Sequence, residues 1–237
     1  MSRKTIYFPH SLLFFVVLVV LLGAAVALIF FGAVSIAFSD VGFTSLTIML
    51  LLICTLVGSF INIPLLKLRA TIPMIRDEYV TWYGLSYRIP RVEYGQAITV
   101  VAVNVGGALI PTVVSIYLLS KSSFSLILLS LVGVFAVALV THTVARPVKG
   151  VGIATPVFIP PIAAAVVAFL LSPGEPRTVA YVAGTLGTLI GADLLNLKKI
   201  PKLGAPVASI GGAGTFDGVF LTGIIAVLLT RLQKRKN

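Results

Sequence analysis

The sequence predicts an all-α fold: a polytopic membrane helix bundle of about seven transmembrane helices, with a small surface hairpin between helices 2 and 3. Three observations predict it. Of 237 residues, 58% are hydrophobic and only 11% charged, and the mean hydropathy is +1.11; a soluble domain carries about 25% charged residues. Seven apolar runs approach the roughly 20 residues that a helix needs to cross about 30 Å of hydrocarbon. The connections between the runs are short, with one exception.

The runs cover 11–38, 43–66, 97–119, 124–141, 154–171, 179–197 and 206–230. The first follows the basic start "MSRKTIYFPH". At 28 residues it is too long for a signal-peptide core, so it reads as a retained helix. The exceptional connection, 67–96, carries five basic and three acidic residues and the only tryptophan, Trp82. β-branched and aromatic residues flank the "YG" at Tyr83 and Gly84, which predicts a soluble hairpin insert on the membrane surface. Its tyrosines and Trp82 suit interfacial anchoring. The fifth run opens in "THTVARPVKGVGIATPVFIPP" (141–161), where Pro156, Pro160 and Pro161 remove backbone donors and predict a distorted start.

The chain thus reads as a single integral membrane domain over 1–237. Two pairs of stretches look alike: "LVGSFINIPLLKL" (56–68) with "LIGADLLNLKKI" (189–200), and "NVGGALIPTVV" (104–114) with "SIGGAGTFDGV" (209–219). They predict a 3+1+3 parallel pseudo-repeat, halves 11–119 and 154–230 joined by a linker helix at 124–141, one of the plans used by membrane transporters. With a cytoplasmic N-terminus, twelve of the 18 lysines and arginines fall inside, so the positive-inside rule predicts that orientation in a cell membrane.

The net charge of +11 lies between apolar segments and at the two ends, where it serves topology and headgroup contact, and no nucleic-acid partner is predicted. Cys54 is the only cysteine, His10 and His142 the only histidines, and no HExxH or paired-cysteine spacing occurs. No metal site and no cofactor follow. The predicted partners are the bilayer and a small solute or cation.

The chemistry-bearing residues sit near the end of the chain. Asp193 in "LIGADLLNL" and Asp217 in "SIGGAGTFDG" fall inside apolar runs, where an ionised acid costs roughly 2.5–3.5 kcal/mol and marks a functional site by default. Gly211, Gly212 and Gly214 predict an unwound or kinked entry that exposes backbone beside Asp217, and Thr215 adds a hydroxyl. The corresponding stretch "NVGGALIP" supplies Asn104, as an interhelical hydrogen-bonding amide or a ligand. Asn62 and Asn196 read as helix-end amides. His142 and Arg146 are placed to contact an anionic group at the cytoplasmic face or to anchor headgroups.

"GSFINIPL", "NVGGALIP", "ARPVKGVGI" and "SIGGAGTFDG" together resemble an uncharacterised prokaryotic membrane family, domain of unknown function 1614, over most of the chain after residue 45. The resemblance implies a multi-pass protein and brings no established activity. The two acids also resemble the dyad of intramembrane aspartyl proteases of the presenilin and prepilin-peptidase type, although the GxGD motif is broken here into "IGAD" and "GTFD". Three functions follow as expectations: a small secondary transporter or proton-coupled permease using Asp217, Asp193, Asn104 and Thr215; an intramembrane aspartyl protease with Asp193 and Asp217 as catalytic pair; or a non-catalytic structural or assembly factor.

Overall fold

The structure, a computed structural model, describes residues 10–83, 85–150, 152–212 and 218–231, the side chains of residues 10, 11 and 82 apart. Among these are seven α-helices: α1 (His10–Asp40), α2 (Ser45–Gly58), α3 (Ile110–Ser120), α4 (Phe124–Val144), α5 (Ile159–Leu171), α6 (Pro176–Thr188) and α7 (Gly218–Arg231). Five strands accompany them: β1 (Asn62–Trp82), β2 (Leu85–Asn104), β3 (Arg146–Val148), β4 (Gly152–Ala154) and β5 (Val207–Ile210). The fold is therefore mixed, not the all-α seven-span bundle that the apolar runs predict. Within the described residues, three helical segments are long and apolar enough to cross a membrane: Leu12–Asp40, Phe124–Val144 and Pro176–Leu203.

The correction has a local cause. Runs 43–66, 97–119 and 206–230 are apolar throughout, but part of each is strand. A short continuous apolar run reads alike as buried strand or helix, and β-branched content has to decide. "ITVVAV" at 98–103 is such a stretch, and it forms the base of β2. α2 stops at Gly58 because the chain must turn: the Ser59 hydroxyl bonds back to the Leu56 carbonyl at 2.7 Å, and Pro64 lies too close for the helix to continue.

β1 and β2 pair antiparallel from Asn62↔Asn104 out to Trp82↔Leu85, with a register shift between Pro64 and Leu66. Twenty paired residues extend roughly 65 Å, so the hairpin is longer at both ends than the 67–96 insert. β5 runs parallel to β2 along Val100–Val103 and makes the base three-stranded, while β3 and β4 form a separate two-stranded ribbon. The stretches paired in the pseudo-repeat differ in structure. Residues 56–68 are a helix end running into β1, whereas 189–200 are a π-helical turn followed by 3-10 helix.

Lipid tails are as apolar as leucine, so helices in a membrane associate through close packing of small residues. α4 and α6 run parallel on that principle: Gly133 lies under Ala183, Gly187 against Val137, and Gly191 against Ala138 and Thr141. A Cβ on Gly187 would sit 2.7 Å from the Val137 Cβ, so a larger residue would force the helices apart. α7 crosses α6 antiparallel at Gly184 and Gly223. Around this contact Phe38, Val179, Val182, Ala183, Phe220, Ile224 and Val227 are buried. α6 is the central helix. α1 packs through the buried Val34, Ala37 and Phe38 with Phe30 half-buried beside them, and its first half, Leu12–Leu22, is exposed along its whole length.

Candidate functional site

After Thr188 the central helix loosens. A π-helical turn, Leu189–Asp193, gives way to a 3-10 stretch, Leu194–Leu203, which contains Pro201 and ends at Gly204 with φ +71°. Single π turns inside helices recur at functional sites because they leave carbonyls without their usual partners. Here Asn196, fully buried, takes up two of them, donating to the Gly191 carbonyl at 3.1 Å and the Ala192 carbonyl at 2.8 Å. Lys199 donates to the Asn196 amide oxygen at 2.8 Å, and His142 Nδ1 lies 3.3 Å from both the Gly191 carbonyl and the Asn196 amide nitrogen.

A second amide closes the other half of this end. Asn104 is buried where β2 becomes the π-helical turn Val105–Leu109. Its amide nitrogen donates to the Ser59 carbonyl at 2.7 Å and to Asn62 Oδ1 at 3.2 Å, and its oxygen accepts the Gly107 N–H at 2.7 Å. Ser209 on β5 donates to the same Asn62 oxygen at 2.6 Å. The turn after β5 then crosses Gly107 so closely that a Cβ there would overlap the Gly211 carbonyl oxygen. Gly211 and Gly212 both hold positive φ, 79° and 82°, which side chains rarely tolerate.

Asp193 joins the two halves: its carboxylate accepts the Gly211 N–H at 2.7 Å. It also lines a cavity of about 300 Å³ with Thr155, Thr188, Ser209 and Gly212. The Thr188 hydroxyl is buried with no hydrogen-bond partner among the described residues. Toward the opposite end, α6 carries further hydroxyls at Thr185 and Tyr181, three and seven residues before Thr188 and so on one helix face. Tyr181 packs on Phe38, 5.9 Å between ring centroids.

Of the residues singled out in the sequence, the structure thus brings together Asp193, Asn104, Gly211 and Gly212. Asn104 stands as a clasp with every amide atom in use, and His142 joins the Asn196 knot. Arg146 lies apart on the exposed β3. Asp217, Thr215 and Gly214 lie outside the described residues, so the Asp193–Asp217 pair of the protease expectation does too.

Sequence reasoning missed the opposite end. Asp40, which falls between the first two apolar runs, closes α1, and its carboxylate meets Arg177 at the start of α6 (3.8 Å) and Arg231 at the end of α7 (3.6 Å). One signal was available. In any alternating bundle, the end of segment 1, the start of segment 6 and the end of segment 7 lie on one side.

An apolar helical bundle with segments able to span a membrane, closed at one end by a polar knot around a carboxylate and bearing a long hairpin, is the class these features define. Residues 56–229 match the family described as "Protein of unknown function (DUF1614)", and the chain belongs to that family. No curated protein and no solved structure matches it.

Proposed function

We propose that the protein moves a small cation or proton through the membrane along α6, with Asp193 as the charged group of the path. The observation that carries this reading is the cavity beside Asp193, into which the same helix brings Thr188, whose hydroxyl is buried without a partner among the described residues. A buried hydroxyl without a partner costs roughly 1–3 kcal/mol, a cost that a passing hydrated ion or water would relieve. Tyr181 and Thr185 continue the hydroxyl line toward Arg177. The helix rises about 24 Å between Arg177 and Asp193, most of the hydrocarbon thickness. An aspartate at the end of such a line binds a cation when ionised and releases it when protonated.

The test is flux. Purified protein in liposomes loaded with a pH-sensitive dye is subjected to a potassium diffusion potential, with proton, sodium and potassium gradients imposed in turn. Flux of one of them, reduced at least about tenfold by Asp193→Asn and by Thr188→Val, is the expected result. Equal flux in wild type and both variants, or none above empty liposomes, would sink the reading. The hairpin supports a second one, an assembly factor: a two-stranded ribbon exposing Ile75, Tyr79, Val92 and Tyr94 suits a binding platform more than a carrier.

A further inference from the structure

The Asp40 end holds a groove that the proposed path does not use. It lies between α1 and α2, has a volume of about 470 Å³, and is lined by Ser35, Ile36, Ser39, Asp40, Ser45, Ile48, Met49, Leu52 and Arg231. Its chemistry is graded. Asp40, Arg231, Ser39 and Ser45 stand at helix ends and form the mouth, while Ile36, Met49 and Leu52 form the foot. From Ser45 to Leu52 the α2 wall descends about 10 Å. Ile36 and Met49 are 41% and 53% exposed, so the groove opens sideways, on the face that a bilayer would cover.

Arg231 is the distinctive group at the mouth. Its one polar contact among the described residues is the ion pair to Asp40 at 3.6 Å, beyond hydrogen-bond length. A guanidinium has five donors in a fork that matches phosphate oxygens, and none makes a hydrogen bond to the described residues. The hydroxyls of Ser39 and Ser45 donate to no protein group among the described residues either, and both face the same opening. Asp40 is shared with Arg177 across the bundle at 3.8 Å, so its single charge is divided between two cations.

We propose that this groove binds an anionic phospholipid, with the phosphodiester on Arg231, Ser39 and Ser45 and the first part of an acyl chain along Ile36, Met49 and Leu52. A free phosphate would satisfy the mouth and leave the apolar foot empty, and an apolar molecule would satisfy only the foot. A phospholipid presents both in the right order at the depth where helix ends meet headgroups.

The experiment is native mass spectrometry of the full chain, delipidated in detergent and titrated with phosphatidylglycerol, with glycerophosphoglycerol as the chain-free competitor. Wild type is expected to hold one phosphatidylglycerol. Arg231→Gln weakens it roughly tenfold to a hundredfold, the range for losing a charged hydrogen bond, whereas Asp40→Asn tightens it by removing the competing carboxylate. A misfolded variant would weaken binding in both cases, so the opposite signs separate the site from damage. Met49→Trp fills the foot without touching a charge and is also expected to weaken binding. Equal affinity in wild type and Arg231→Gln would overturn the proposal. So would displacement of the lipid by equimolar glycerophosphoglycerol, which would make the mouth a site for soluble phosphate esters.

Discussion

At one end of the bundle Asp40 meets two guanidinium groups across 3.6 and 3.8 Å, on side chains that keep part of their surface in solvent. At the other, Asp193 accepts a 2.7 Å bond from a backbone amide, inside a set of asparagines and glycines packed to contact. Asp40 joins three helices and Asp193 ties the end of the central helix to the turn after β5, by different physics. The charged end depends on Coulomb attraction that water and salt weaken. The amide end depends on fixed directions and on side chains small enough for backbones to touch, and salt does not reach it. The charged end is therefore the salt-sensitive one, and the asparagines and glycines around Asp193 hold a geometry.

Four substitutions sharpen that contrast, read as melting shifts of the detergent-purified protein. The largest effect belongs to Gly107→Val, because its Cβ would occupy the position of the Gly211 carbonyl oxygen. A loss above about 3 kcal/mol, or failure to yield folded protein, is expected. Gly42→Ala at the charged end is its control: φ is +98° but nothing lies within 4 Å, so only backbone strain of about 1–2 kcal/mol follows. If the two variants melt alike, the tight packing at the amide end is not what holds it.

Next comes Asn104→Ala. It strands the Gly107 N–H and the Ser59 carbonyl in a buried place and is expected to cost about 2–4 kcal/mol, unchanged between low and high salt. The smallest is Asp40→Asn, about 1 kcal/mol at low ionic strength and less as salt rises. A salt-dependent loss at Asn104, or a large salt-independent one at Asp40, would erase the distinction between the ends.

How much of this was legible in the sequence depended on range. Runs 11–38 and 124–141 correspond to α1 and α4, because a long apolar segment has one efficient way to satisfy its backbone in lipid. The prolines at 156–161 announced that the fifth run would not start as helix, and α5 begins only at Ile159. The strands inside 43–66, 97–119 and 206–230 were not legible. Continuous apolarity erases the period that separates helix from sheet, and pairing with a partner far along the chain, from Ala97↔Ala70 to Val100↔Val207, decides the outcome. The same limit governed the sites. Asp193 stood out because an acid inside an apolar run is anomalous by itself, and "GG" at 211–212 because two glycines demand an unusual backbone. Asp40 did not stand out, since its significance lies in two arginines more than 130 residues away.

The hairpin has a mechanical consequence. Its strands are continuous with the polar knot: Asn62 and Asn104, the first pair of the ladder, are also the residues bonded to Ser59, Gly107 and Ser209. A ribbon roughly 65 Å long fastened at its root is a lever, and a tilt of about 10° at the root sweeps the tip through about 11 Å. In reverse, a modest force on Tyr83 becomes a large torque on the junction of α2 with the strands, three hydrogen bonds from the Asp193 carboxylate.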